Sequence, residues 1–117
     1  VEPPGGDPVR GWRVVRDGTS LWYRSLGRNK KSVTLDLKSE QGRELALQLL
    51  ETADVLIENF TAGTLERLGL DADTLARHNP QLIQVSMSGP GRGSAVESLR
   101  SYGLVLSALR TSKNRIH

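Results

Sequence analysis

Cationic side chains bracket one short alternating stretch of this chain. Arg28, Lys30 and Lys31 lead into "SVTLDLK", which closes on Lys38 just before a helical pattern begins. An ammonium between a strand and a helix is well placed to meet a phosphate. It reads equally as a solvated lysine in a turn, and the basic run before it as a solvated loop. Glu58 ends a second apolar stretch, "DVLIENF". A carboxylate there could serve acid–base or nucleophilic chemistry, cap the next helix, or pair with an arginine. "SGPGRG" (residues 88–93) follows a third such stretch and could offer backbone N–H groups to an anion. It lacks the GK[ST] of a phosphate loop and the full context of a dinucleotide fingerprint, so a plain turn is the simpler reading. His78 and His117 have no companions at metal-ligand spacing, which argues against a zinc site. No Ser-His-Asp or GxSxG arrangement is present.

The composition narrows these options. At 117 residues the chain has the size of one ordinary domain. It has no cysteine, which removes disulfides and cysteine-based metal or nucleophile sites. Its net charge of +3 is unevenly distributed. Residues 1–38 hold eight Lys/Arg against four acids, residues 39–78 three against eight, and residues 79–117 five against one. An acidic middle interrupts any basic coat for nucleic acid, and five aromatic residues are few for stacking on bases. No apolar run approaches the roughly 20 residues of a membrane span. "VEPPGGDPVRG" lacks the pattern of a signal peptide, and a cytoplasmic setting without nucleic-acid or membrane partners is expected.

Residues 1–20 carry many Pro and Gly and read as an irregular approach segment. "SVTLDL" (32–37) has the period of a half-buried strand, with Val33, Leu35 and Leu37 on one face. Ser39 is placed to cap a helix in which Leu45, Leu49 and Ala53 align. "DVLIENF" (54–60) is expected to be a strand buried on both faces. One helix is expected from near Thr61 to Gly69 and another from Asp71 to the residues before Pro80, then a strand over 81–89. Alternating strands and helices imply an α/β fold with parallel β-α-β units, whose ligands gather beyond the carboxyl ends of the strands. Those ends are Asp36 to Lys38, Glu58 to Thr61, and residues 88–93.

Three pieces at this spacing, "SVTLDLK", "ADVLIENF" and "LERLGL", closely resemble the family III CoA-transferases, also called the CaiB/BaiF family. "VEPPGGDPVRGW" and "NPQLIQVSMSGPGRG" resemble the family's preceding and following segments. The resemblance covers nearly all of residues 1–109, implying part of the family's large CoA-binding domain, with residues 110–117 a divergent tail. It implies an incomplete, Rossmann-like parallel-sheet nucleotide-binding fold. It also implies coenzyme A as substrate and no metal, with acyl-CoA and carboxylic acids as partners, and intertwined homodimers of the complete family members.

Residue by residue, the resemblance places Leu35, Asp36, Leu37 and Lys38 along the CoA nucleotide, with Lys38 near phosphate. Asn59, Phe60 and Thr61 would contact CoA, and Arg67 would bind phosphate. "SLRSYG" resembles the segment that follows the pantetheine arm, which adds Arg100 and Tyr102. Where family racemases carry a histidine, this chain carries Tyr102, which favours the transferases over the 2-methylacyl-CoA racemases. The family's nucleophilic aspartate matches no residue here. The chain is therefore expected to be a fragment that is inactive alone, or a non-catalytic CoA-binding or partner-binding remnant.

Overall fold

The computed structural model describes residues 1–87, which fall into two compact units, the first Val1–Ala46 and the second beginning at Leu47. The first unit is organised around an extended contact between its beginning and its end. Glu2 bridges in parallel to Thr34: its N–H donates to the Val33 carbonyl at 2.8 Å, and Leu35 N–H donates back to the Glu2 carbonyl at 2.9 Å. Pro3 and Pro4 follow at once, and their missing N–H groups allow no further rungs. Residues 32–37, expected as a strand, are accordingly an extended segment with a single bridge. Of the face expected for that strand, Leu35 and Leu37 are half-buried, whereas Val33 is exposed.

Between these ends the chain is more regular than its Pro and Gly content suggests. Asp7 caps a turn of 3-10 helix at Pro8–Gly11, its carboxylate accepting from Val9 N–H at 2.8 Å. Strands β1 (Val15–Arg16) and β2 (Thr19–Ser20) form an antiparallel hairpin. Its loop is Asp17–Gly18, with φ of 51° and 72°, the paired left-handed conformation that tight hairpins require. Ser20, fully buried, caps α1 (Leu21–Leu26) by accepting from the N–H groups of Trp22 and Tyr23.

Helix α2 (Glu40–Glu51) starts where the sequence places it, with Ser39 Oγ accepting from Gly42 N–H at 3.0 Å. Its buried positions differ from expectation. Gly42 and Ala46 are buried, whereas Leu45 and Leu49 remain 41% and 46% exposed. The small side of the helix is the one that fits, because a Cβ on Gly42 would overlap the Asp36 carbonyl.

In the second unit β3 (Val55–Glu58) pairs in parallel with β4 (Ile83–Ser86), from Val55↔Ile83 to Glu58↔Ser86. The connection contains α3 (Thr64–Arg67) and α4 (Ala72–His78). Gly69, at φ 70°, turns the chain out of α3, and the N–H groups of Gly69 and Leu70 donate to the carbonyls of Glu66 and Leu65. Leu65 and Leu70, on either side of that turn, are buried, as is Leu75 of α4. Asp71 caps α4 by accepting from Thr74 N–H at 2.9 Å, which holds its carboxyl below the usual carboxylate range. Beyond α4, the Asn79 amide donates to the carbonyls of Leu50 and Ala53, both at 2.9 Å, fastening it to the end of α2.

β3 was expected to be buried on both faces, but Val55 and Ile57 are 45% and 65% exposed. Successive strand residues point to opposite sides, so Ile83 and Val85 of β4 share that open side. The covered side holds Leu56 and Glu58. The described residues thus form a small mixed α/β arrangement, with one parallel pair and one antiparallel hairpin.

Candidate functional site

The predicted site residues that lie among the described residues fall into two groups, one in each unit. In the first, Leu35 is anchored by its N–H to Glu2, and the chain then turns into α2. Asp36 organises the turn. Its Oδ1 accepts from Lys38 N–H at 3.0 Å, and its carbonyl accepts from both the Ser39 N–H and hydroxyl. Leu37 is half-buried and Lys38 is exposed. Among the described residues no carboxylate lies within ion-pair distance of the Lys38 ammonium. The turn therefore fixes the lysine backbone while leaving its charge available.

The second cluster follows β3. Glu58, which the sequence left between catalysis and capping, is buried, and its Oε2 accepts from Phe60 N–H at 2.7 Å. That bond folds the chain back at Asn59 and Phe60, both exposed. The Thr61 and Thr64 hydroxyls lie 3.0 Å apart, and Arg67 NH2 donates to Thr64 Oγ1 at 2.7 Å. Gly63, at φ 75°, brings the backbone beside this guanidinium: a Cβ there would lie 3.1 Å from Arg67 NH1. Among the described residues no carboxylate pairs with Arg67. Thr61, Thr64 and Arg67 thus form a hydroxyl–hydroxyl–guanidinium row, a natural set of donors for an anion. Thr64 was not singled out in the sequence, although its three-residue spacing from both partners was visible.

The sequence also gave no sign of Glu2. Its buried carboxylate accepts from Arg10 Nε and NH2 at 2.7 and 2.8 Å, Asp7 N–H at 3.0 Å, Tyr23 OH at 2.7 Å and Ser32 Oγ. Arg10 also stacks 4.1 Å over the Tyr23 ring. The Arg10 guanidinium, followed by the Ser32 hydroxyl, holds the Glu2 carboxyl far below the usual range. The same carboxylate raises the pKa of Arg10 and of the Tyr23 phenol. Beside this hub lies a cleft of about 330 Å³ lined in part by Tyr23, Leu26, Lys30, Lys31 and Ser32. Arg100, Tyr102 and the 88–93 loop lie outside the described residues. Among the described residues no three His, Cys, Asp or Glu side chains are grouped to hold a metal, and no helix is long and apolar enough to cross a membrane.

Residues 1–112 match the family model described as CoA-transferase family III. The chain belongs to that family. Within family III, it is 41% identical over 111 residues to a succinyl-CoA–D-citramalate CoA-transferase of Chloroflexus aurantiacus, covering 93% of this chain and 28% of that protein. It is 36% identical over 110 residues to a formyl-CoA:oxalate CoA-transferase of Streptomyces coelicolor, covering 93% and 27%. Among solved structures, it superposes on Rv3272 of Mycobacterium tuberculosis with a TM-score of 0.85 at 35% identity, covering 99% of this chain and 33% of that one. A CaiB/BaiF family protein from Brucella suis gives a TM-score of 0.84 at 35% identity, covering 92% and 30%. The chain thus spans about a third or less of the length of each of these proteins.

Proposed function

We propose that this chain is the coenzyme A-binding part of a family III CoA-transferase, built on a Rossmann-like nucleotide-binding fold, that moves CoA between carboxylic acids. The observation that carries this reading is the Thr61–Thr64–Arg67 row, whose guanidinium is held by a hydroxyl and has no carboxylate partner among the described residues. Lys38 supplies a second available charge, in the first unit. CoA carries a pyrophosphate and a 3′-phosphate, and lysine and arginine are suited to both. Leu35, Asp36 and Leu37 are proposed to line the nucleotide beside Lys38, and Asn59, Phe60 and Thr61 to touch CoA beside Arg67. Arg100 and Tyr102 are proposed to follow the pantetheine arm.

In the complete reaction a carboxylate attacks the acyl-CoA carbonyl and expels CoA thiolate, leaving an enzyme-bound anhydride. The thiolate then attacks the enzyme carbonyl of that anhydride, releasing the acid and forming the enzyme–CoA thioester. Glu58 is a poor nucleophile for this step, because it is buried and its carboxylate accepts the Phe60 N–H. The proposed role of these 117 residues is binding, with the attacking carboxylate supplied elsewhere. Calorimetric titration tests it: Lys38→Ala and Arg67→Ala should each weaken CoA by about tenfold, with little change for pantetheine, which has no phosphate. Unchanged CoA affinity in both variants would remove the proposal.

A further inference from the structure

We propose that Glu2 is a positioning residue for coenzyme A binding: it grips the segment Ser32–Leu35 and so fixes the turn that presents Lys38. This inference rests on the reading of Leu35–Lys38 as a CoA-contacting stretch. Glu2 holds the segment at three points, through Val33 O, Leu35 N–H and the Ser32 hydroxyl. The other partners of its carboxylate are Asp7 N–H, Arg10 and Tyr23, so the grip is itself held from the opposite side. One residue after Leu35, Asp36 organises the turn through Lys38 N–H and Ser39. Gly42 closes against the Asp36 carbonyl, where any side chain would collide.

The route from Glu2 to Lys38 is therefore short and tethered at both ends. An extended segment with a single bridge has few other means of keeping its register. Binding to a pre-set lysine avoids the cost of ordering it when the ligand arrives. Glu2 thus acts on the ligand through Lys38, without touching it.

The test is a double-mutant cycle on the full chain, read by CoA titration and by amide hydrogen exchange. Glu2→Gln keeps the side-chain shape but removes the charge that Arg10, Tyr23 and Ser32 address. It should weaken CoA by about tenfold, yet by less than about twofold in the Lys38→Ala background, because the lysine it positions is gone. Exchange at the Leu35 and Lys38 amides should speed up without ligand, while Leu75 in α4 stays protected. A purely structural role would give the same loss in both backgrounds. That additivity, or unchanged exchange at Leu35 and Lys38, overturns the proposal. Ser32→Ala removes one hydrogen bond of the hub and repeats the cycle in milder form if Glu2→Gln does not fold. If Lys38→Ala binds CoA as the intact chain does, the site reading fails and this inference falls with it. If Lys38→Ala is weaker but Glu2→Gln is not, only this inference fails.

Discussion

The two units differ in the balance of what they bury. Among the described residues of Val1–Ala46, the buried polar side chains are Glu2 and Ser20 and the buried apolar side chain is Ala46. In the described part of the second unit the buried side chains are Leu65, Leu70 and Leu75 and one carboxylate, Glu58, with hydrogen bonds chiefly directing turns and caps. A directional carboxylate hub sets geometry at named points but depends on ionisation. An apolar cluster is indifferent to pH and sensitive to volume. The first arrangement holds an extended segment in place, and the second supports a helical connection between parallel strands.

The largest effect should come from truncating a buried leucine of the second unit. Leu75→Ala, at a position 3% exposed, should cost about 2–5 kcal/mol and remove amide protection across α3 and α4. Thermal melts and hydrogen exchange would measure it, with the tryptophan signal of the first unit nearly unchanged.

Acid should invert that pattern. The Glu2 carboxyl is held below its ordinary value of 4.5, so its stabilisation is complete above that value. It is lost as pH falls from 4.5 toward the depressed folded-state value. Trp12 and Trp22, the chain's two tryptophans, both lie in the first unit with their rings 6.2 Å apart. Their fluorescence should begin to change below pH 4.5, before Leu75 loses protection, and Glu2→Gln should abolish that early phase. Asp71 responds in the same direction through Thr74, but it caps a single helix whose buried side chain, Leu75, does not titrate. Two smaller changes sharpen the contrast. Gly69→Ala forces a side chain into φ 70° and should cost about 1–2 kcal/mol in the second unit. Ser39→Ala removes the α2 cap and should cost about 1 kcal/mol.

Local chemistry was the most legible part of the sequence. Ser39, Asp71 and Gly69 each act within a few residues of themselves, and each takes the role its type and position imply. The hairpin at Asp17–Gly18 was missed: the Pro and Gly of residues 1–20 suggest an irregular approach segment, although an Asp-Gly pair is a strong hairpin signal. Glu2 was not legible, because Arg10, Tyr23 and Ser32 lie 8, 21 and 30 residues away and no short pattern joins them. The faces of α2 and β3 were misjudged for a related reason. Hydrophobic period shows which side can be buried, whereas partners distant in sequence decide which side is covered. At the candidate site, family resemblance named Lys38, Thr61 and Arg67, and the structure added Thr64, which links the last two.

The most direct measurement is a two-dimensional amide NMR titration of the labelled chain with CoA, compared with pantetheine and a short DNA duplex. The account predicts CoA-induced shifts concentrated at residues 35–38 and 59–67, with those at Lys38 and Arg67 absent for pantetheine. DNA should leave both groups unchanged at physiological salt. Shifts confined to other residues, or an equal response to DNA at these two groups, would contradict a coenzyme A site.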